Sequence, residues 1–239
     1  MQKITKISLV IPVYNEAGII EPLVRSYYKN LIRKIPQSEF IIAEDGSTDG
    51  TKGILKELNK KIPFVLVMSS KRKGYNMAVK DALKIPKNNI IFFSDSSGQH
   101  EPKDFFELSK YINDFDIIIG YKSSRQDPYY RVFLSRWYNV LVRMLFGLKL
   151  RDINCGFRIV KKSVIDDVLR ECKTFEKYCA FSEFTLRAYK KKYRIKEVPI
   201  HHYRRHIGEK KSFFIWNIIL VVFIVIWDLI RLRAEMSSK

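Results

Sequence analysis

The chain has 239 residues, of which 44 are Lys or Arg and 25 are Asp or Glu, so its formal net charge is +19. This length suits one large domain with a short appendage and argues against a second full domain. The charge calls for an anionic partner, such as a phosphorylated small molecule, an anionic membrane surface or nucleic acid, although scattered basic residues usually form a solvated surface. The three cysteines show no paired spacing, which favours free thiols in a reducing compartment.

The predicted elements alternate between strands and helices. Residues 7–13 and 40–43 are apolar without alternation, which is typical of strands buried on both faces, and a helical pattern follows each of them. Further strands are predicted at residues 64–68, 90–93, 116–120 and 194–200, and helices at residues 18–33, 51–60, 77–83, 103–111, 129–148, 163–169 and 182–192. Residues 149–160 are predicted to be irregular. The order predicts an α/β domain with a doubly wound, mostly parallel sheet.

The two ends of the chain differ in character. The first apolar run is short and contains Pro12, so we expect no secretory signal and a cytoplasmic globular part. Residues 213–230 are apolar on nearly every side, and about 18 residues is the lower limit for spanning a bilayer. Basic residues flank this segment on both sides, so we expect a membrane-associated helix that lies in the interface with both ends cytoplasmic; a short span is the alternative. The predicted boundary separates residues 1–211 from residues 212–239.

One carboxylate stands at the end of a predicted buried strand. Residues 90–93 are followed by Asp95 and then by small polar residues. Ligands of parallel α/β sheets bind beyond the carboxyl ends of the strands, so Asp95 is expected to face a binding crevice. A role as a cap of the helix that starts near Pro102 is the alternative. Three cations at residues 71–73 precede a predicted helix, which is a suitable place for a phosphate.

Several ordered motifs together resemble the family 2 glycosyltransferases, and more narrowly the branch of dolichol-phosphate mannose synthases and polyprenyl-phosphate glucosyltransferases. The motifs are residues 12–16, 44–51, 73–74, 95–100, 156–158 and 205–211. The resemblance implies a GT-A fold with a mostly parallel central sheet flanked by helices. It also implies transfer of a hexose, mannose or glucose, from a GDP- or UDP-sugar to a polyprenyl phosphate of the dolichyl type at the cytoplasmic membrane face.

The resemblance assigns a donor site to eight residues. The residues expected to bind the nucleotide-sugar are Pro12, Tyr14, Glu16, Glu44, Asp45, Lys73, Arg205 and Lys211. Glu44 stands where the family usually has Asp, so the choice of nucleoside base stays open. A plain turn and helix cap at residues 45–51 is the alternative interpretation.

The resemblance also implies a divalent metal, Mg²⁺ or Mn²⁺. Asp95 matches the first carboxylate of the family's D-x-D motif, and Gln99 matches a position that can supply a side-chain oxygen. Ser97 replaces the second carboxylate, so we expect weaker metal binding, with water and phosphate oxygens as the other ligands. Loss of metal dependence and loss of activity are the alternatives.

On the acceptor side, Lys122 stands where relatives usually have Arg, and Arg131 and Ser135 match a phosphate-gripping pair on the helix beside the site. Together with Asp95 they form the expected catalytic set. A lipid phosphate is already a nucleophile, so the site needs cations to position it rather than a strong base. Without the resemblance, Arg131 reads equally well as a surface charge.

Two other functions stay open at this stage. A family 2 transferase that extends a glycan or a lipid-linked saccharide would need a base, for which Glu183 is the nearest candidate. Ser97 also leaves room for a non-catalytic nucleotide-sugar-binding protein. Binding of nucleic acid is not expected, because no nucleic-acid-binding module is recognisable in the sequence.

Overall fold

The computed structural model describes residues 4–173, 180–204 and 215–237. In this part of the chain the strands are β1 (Ser8–Val13), β2 (Glu39–Glu44), β3 (Val65–Met68), β4 (Ile90–Phe93), β5 (Ile117–Lys122), β6 (Arg158–Lys161) and β7 (Ile195–Ile200). The helices are α1 (Ile20–Asn30), α2 (Thr51–Asn59), α3 (Tyr75–Ala82), α4 (Phe105–Ser109), α5 (Tyr129–Phe146), α6 (Lys162–Val168), α7 (Ala180–Lys190) and α8 (Ile215–Ser237). Short 3-10 turns occur at Ile32–Lys34, Pro102–Asp104 and Leu169–Glu171.

The described strands form one sheet in the order β3-β2-β1-β4-β6-β5-β7. β1 pairs in parallel with β2 and β4, β2 with β3, and β5 with β7, while β6 runs antiparallel between β4 and β5. The expectation of a mostly parallel sheet is therefore confirmed. The carboxyl ends of β1, β2, β4, β5 and β7 meet at one edge, which is where parallel sheets bind ligands.

The prediction that residues 149–160 are irregular was wrong for residues 158–160. Arg158–Lys161 forms β6 in the interior of the sheet, where Arg158 pairs with Phe93 on one side and with Ile119 on the other. Four residues are too few to show a period, and strand preference depends mainly on cross-strand neighbours. Only the partners, which are distant in sequence, define this strand.

Burial follows the sequence pattern in the centre of the sheet. All six residues of β1 are buried, as is typical of a strand covered on both faces. β3 lies at the edge of the sheet and exposes Val65 and Val67. The core is therefore continuous over the middle strands and opens towards the β3 edge.

The C-terminal segment forms helix α8 in the part of it that the structure describes. Leu229 and Leu232 are buried against the globular part, and Glu235 lies 3.3 Å from Arg187 of α7. Within the described ranges, no helix combines the length and the apolar character needed to cross a membrane. The structure thus does not show the apolar membrane helix expected in this region, and contact of α8 with a membrane surface stays a prediction.

Candidate active site

Arg158 anchors the loop that borders the sheet edge. Its side chain is fully buried, and its guanidinium donates hydrogen bonds of 2.6–3.0 Å to the carbonyl oxygens of Cys155 and Ile153 and to Oγ1 of Thr185. Burial lowers the pKa of Arg158 to about 10, which leaves the side chain charged at neutral pH. A buried charge must be satisfied by such bonds, so Arg158 fixes the loop of residues 152–157 in place.

Gly156 allows that loop to approach Asp95 directly. A Cβ at Gly156 would clash with the carboxylate of Asp95, so a larger residue does not fit here. The carbonyl oxygen of the next residue, Phe157, accepts a hydrogen bond of 2.8 Å from N of Gly120 in β5. Residues 156–157 therefore separate Asp95, which follows β4, from Lys122, which ends β5. After the roles expected from the sequence, we refer to the flank that contains Asp95 as the donor side and to the flank that contains Lys122 as the acceptor side.

On the donor side, a tyrosine holds the carboxylate of Asp95. The Tyr75 hydroxyl donates a hydrogen bond of 2.6 Å to Oδ1 of Asp95. Tyr75 begins α3 directly after Gly74, whose φ of 93° lies in the left-handed region that favours glycine. Desolvation and the charge of Asp95 raise the pKa of Tyr75 well above its ordinary value, so the hydroxyl stays protonated and donates.

Asp45 holds the turn that carries Tyr75. Its Oδ1 accepts from N of Lys73 at 2.8 Å and its Oδ2 accepts from N of Gly74 at 2.9 Å. Because the turn leads straight into Tyr75, a chain of bonds connects the carboxylate of Asp45 to that of Asp95. Both oxygens of the buried Asp45 thus bind the protein's own backbone, and its contact with a nucleoside base stays a prediction.

Glu44 keeps an unused acceptor. Its Oε1 accepts a hydrogen bond from N of Ser47, whereas Oε2 is buried and has no hydrogen-bond partner. Nζ of Lys52 lies 3.9 Å from this oxygen. Buried carboxylate oxygens are normally satisfied, so this oxygen is available to accept a hydrogen bond, and its contact with a ligand N–H stays a prediction.

The other donor-side residues lie around the end of β1. Pro12 is part of β1, and Glu16 is buried just beyond that strand. The Arg72 guanidinium lies 4.3 Å from the centre of the Tyr14 ring. Gly46, with a φ of 73°, permits this approach, because a Cβ there would lie 2.5 Å from N of Arg72. The structure thus brings the predicted residues of β1 and β2 together with the cations that follow β3.

The predicted basic residues of the donor phosphate site are only partly described. Nζ of Lys73 lies 2.8 Å from Oδ2 of Asp81 in α3, so its ammonium faces that helix. Arg205 and Lys211 lie outside the described residues.

Gln99 links two loops at the sheet edge. Its Nε2 donates to the carbonyl oxygen of Tyr203 at 3.2 Å, and N of Tyr203 donates to the Gln99 carbonyl oxygen at 2.9 Å. In the described ranges no three His, Cys, Asp or Glu side chains gather into a metal centre. The carboxylate of Asp95 and the amide oxygen of Gln99 are hard ligands, which fits Mg²⁺ or Mn²⁺ held mainly by phosphate and water oxygens.

On the acceptor side, the structure adds an arginine to the predicted set. Nη1 of Arg125 donates to Oγ of Ser135 at 2.7 Å, and Nε of Arg125 donates to Oδ2 of Asp127 at 3.1 Å. The hydroxyl of Ser135 therefore holds Arg125, which the sequence-based prediction did not include. Cationic Arg125 follows Lys122 by three residues, while Arg131 lies on α5 one turn before Ser135.

Two buried histidines complete the acceptor side. The rings of His100 and His202 lie 5.6 Å apart, and Nδ1 of each is buried without a hydrogen-bond partner. Nε2 of His202 lies 4.0 Å from Oδ2 of Asp127. Burial, together with the charge of Lys122, lowers the pKa of His100 to about 3 and that of His202 to about 4. Both imidazoles are therefore neutral at pH 7 and each retains hydrogen-bonding capacity.

Glu183, the candidate base of the glycan-extending alternative, lies in a buried ion pair. Its Oε1 is 2.6 Å from Nη2 of Arg187 on the next turn of α7, and it accepts a hydrogen bond from N of Lys173. A buried carboxylate that is paired with an arginine and accepts a backbone hydrogen bond suits a structural role. The structure gives no support to Glu183 as a base.

Sequence reasoning missed Tyr75, Arg125 and His202. Each lies within a few residues of a predicted site residue or motif, and that proximity was the only signal available. The contacts that matter join residues far apart in the chain: Tyr75 and Asp95 are 20 residues apart, and Arg125 and Ser135 are 10.

Residues 8–169 match the family model described as glycosyl transferase family 2. This match covers more than half of the chain, and the chain belongs to that family. The family expected from the sequence motifs is therefore confirmed. The expectation that the chain is a transferase is confirmed at the level of this family.

Similar proteins support the same fold and branch. The chain is 26% identical over 216 residues to an undecaprenyl-phosphate 4-deoxy-4-formamido-L-arabinose transferase of Salmonella choleraesuis (strain SC-B67), covering 88% of this chain and 64% of the relative. The transferase of the same name from Pseudomonas fluorescens (strain Pf0-1) is 27% identical over 212 residues, covering 86% and 59%. The chain thus spans less than two thirds of the length of these curated relatives.

A solved structure shows the fold. Glucosyl-3-phosphoglycerate synthase from Mycobacterium tuberculosis, in complex with Mn²⁺, UDP and glucosyl-3-phosphoglycerate, superposes with a TM-score of 0.67 at 15% identity, covering 98% of this chain and 80% of that one. At this identity the likeness concerns the fold alone. The expected α/β fold of the GT-A type is therefore confirmed.

Proposed function

We propose that the chain transfers a sugar from a nucleotide-sugar to a polyprenyl phosphate at a membrane surface. The observation that carries this proposal is the opposite chemistry on the two sides of residues 156–157. Asp95 lies against Gly156 on the donor side, while Lys122 and Arg125 lie on the acceptor side. A carboxylate suits a metal-bound diphosphate, and a pair of cations suits a phosphate monoester.

The names of the similar transferases support a polyprenyl phosphate as the acceptor. These names give 4-deoxy-4-formamido-L-arabinose as the transferred sugar, whereas the family resemblance of this chain implies a hexose, mannose or glucose. The proposal therefore names a polyprenyl phosphate as the acceptor, and the experiment below identifies the donor sugar and its nucleoside base.

In the proposed reaction, an oxygen of the acceptor phosphate attacks the anomeric carbon of the sugar. The new carbon–oxygen bond forms as the bond to the diphosphate breaks, and its electron pair leaves with the nucleoside diphosphate. Lys122 and Arg125 orient the acceptor phosphate, and Ser135 and Asp127 hold the Arg125 guanidinium in position. A divalent metal held by Asp95 and Gln99 would neutralise the leaving diphosphate.

The proposal is tested with a panel of radiolabelled donors: GDP-mannose, UDP-glucose and UDP-linked 4-deoxy-4-formamido-L-arabinose. Each is incubated with undecaprenyl phosphate in the presence of Mg²⁺, Mn²⁺ or a chelator. We expect one donor to move its label into the lipid phase, and its diphosphate to appear in equal amount. Label that passes to a soluble glycan, or donor binding with no transfer to any acceptor, would contradict the proposal.

A further inference from the structure

Helix α5 leads from the acceptor side into the core along a single face. Four side chains share this face at spacings of four, four and three residues: Arg131, Ser135, Asn139 and Val142. Asn139 and Val142 are buried, with 7% and 2% of their surface exposed. Asparagine is a weak helix former, because its side chain competes for backbone hydrogen bonds. A buried Asn139 in the middle of α5 therefore needs partners of its own.

The amide of Asn139 bonds to two different parts of the site. Its Nδ2 donates a hydrogen bond of 2.7 Å to the carbonyl oxygen of Ser135, one turn earlier on α5. Its Oδ1 accepts a hydrogen bond of 3.0 Å from N of Ile153, in the loop of residues 152–157. The first bond orients the amide on the helix, and the second fastens the loop to it. Asn139 therefore links α5 to the loop that separates the donor side from the acceptor side.

The same loop is fixed to the sheet at its start and contacts the donor side near its end. The carboxylate of Glu197 in β7 accepts hydrogen bonds of 2.8–2.9 Å from N of Arg151 and N of Asp152. Gly156 lies directly against the carboxylate of Asp95. Because the loop is held in this way, the link to α5 sets the distance between that helix and Asp95.

The other end of the link is the acceptor side. Ser135, whose carbonyl oxygen bonds to Asn139, uses its hydroxyl to hold the guanidinium of Arg125. One short series of bonds thus runs from Arg125 through Ser135 and Asn139 to the loop. Both polar ends of the Asn139 amide contact protein atoms, so this residue acts on the reaction through its neighbours.

We propose that Asn139 is a positioning residue, which fixes the separation between the acceptor phosphate and the donor sugar. The inference rests on the proposed function, because that function assigns the acceptor to Arg125 and the donor to Asp95. The phosphate oxygen attacks the anomeric carbon only when both sides are aligned, and a displacement of about 1 Å can cost roughly 100-fold in rate. Loss of the link lowers kcat and leaves the binding of each ligand by itself unchanged.

The test compares two variants on the same face of α5. Asn139→Leu removes both hydrogen bonds, whereas the matched control Val142→Ala loses buried packing and neither bond. The substrates are the donor that the panel identifies and a short-chain polyprenyl phosphate. We expect the kcat of Asn139→Leu to fall roughly 10–100-fold, while Val142→Ala transfers like the wild type. The Kd values for nucleoside diphosphate with Mn²⁺ and for the acceptor should stay within about twofold.

Asn139→Ala keeps the inference testable if leucine is too large for the site, since it removes the same two bonds and adds no atoms. Whichever of these variants folds should show the lower kcat. An unchanged kcat, or an equal fall in Val142→Ala, would overturn the positioning role. Weaker binding of either ligand by itself would also overturn it, because Asn139 would then belong to that binding site.

Hydrogen exchange of the Ile153 amide separates this inference from the proposed function. We expect this amide to exchange roughly tenfold faster in Asn139→Leu than in Val142→Ala, since only the first variant removes its acceptor. Absence of transfer by the wild type to polyprenyl phosphate would contradict the proposed function, and the exchange would still test the link by itself. An exchange rate that is equal in the two variants would overturn the link.

Discussion

The donor and acceptor sides of the sheet edge are built by different means. On the donor side, hydrogen bonds join Asp45 through the turn at residues 73–74 and through Tyr75 to Asp95. On the acceptor side, Arg125 is bonded to Ser135 and forms an ion pair with Asp127, and two buried, neutral histidines lie beside this charged pair. A site ordered by directed bonds depends on geometry, whereas a site ordered by charge responds in graded fashion to charge, salt and pH.

The largest effect is expected on the donor side. Asp95→Asn keeps the shape and an acceptor for Tyr75 but removes the charge beside the leaving diphosphate. We expect transfer to fall by roughly 10²–10³-fold, as for other electrostatic groups at a reacting centre. Initial rates of label transfer measure the effect, with the exposed Asp114→Asn as the matched control. Near-normal transfer by Asp95→Asn would show that the donor side lies elsewhere.

Arg125 offers the corresponding test of the acceptor side. Arg125→Ala should raise the KM for polyprenyl phosphate by roughly 10–100-fold, the equivalent of hydrogen bonds to a charged group, and leave the KM for the nucleotide-sugar unchanged. Arg125→Lys should show a smaller effect, because the charge remains and the bonds to Ser135 and Asp127 are lost. Arg170→Ala, at an exposed position, is the control. A rise in the KM for the nucleotide-sugar instead would show that Arg125 does not act on the acceptor alone.

Tyr75→Phe tests whether the bond chain of the donor side orients Asp95. We expect Mn²⁺ affinity, measured by electron paramagnetic resonance with nucleoside diphosphate present, to fall about tenfold, as for other groups that orient a metal ligand. Tyr189→Phe removes a hydroxyl from an exposed tyrosine and should leave the affinity unchanged. Equal binding by Tyr75→Phe would mean that the hydroxyl does not orient Asp95, and tighter binding would mean that it competes with the metal.

The smallest expected effect concerns His202 and the pH dependence of the free energy of unfolding. The pKa of His202 is lowered to about 4, whereas in the unfolded chain a histidine titrates near pH 6.5. As the pH falls below about 6.5, the unfolded chain binds a proton that the folded chain does not, so the folded state loses at most about 1.4 kcal/mol per pH unit from this group.

Chemical unfolding at pH 7 and pH 5.5 checks this dependence. His202→Gln should flatten the loss of unfolding free energy at the lower pH. His201 is the internal contrast, since its hydrogen bond to Asp104 raises its pKa and its contribution is lost as the pH rises through that value. An unchanged pH dependence in His202→Gln would contradict a neutral buried imidazole.

The sequence predicted well the positions of those site residues that directly follow a buried strand. Apolar runs that stop at polar residues placed Asp45 and Asp95 at one sheet edge, because parallel strands align their carboxyl ends. Lys122, which ends β5, was expected at the site only from the family resemblance. The bond between Arg125 and Ser135 could not be predicted, since it joins a loop to a helix whose packing depends on the whole fold. Phe133, Trp137, Val140 and Met144 recur at a helical spacing in α5, but only the packing shows that their side chains are exposed.

We propose that one sheet edge carries two sites whose ligands bind separately. Calorimetric titration tests it most directly, with nucleoside diphosphate and Mn²⁺ as one ligand and short-chain polyprenyl phosphate as the other. We expect Asp95→Asn to lose the first ligand and keep the second, and Arg125→Ala to do the reverse. Loss of both ligands by either variant, with the fold intact, would contradict it.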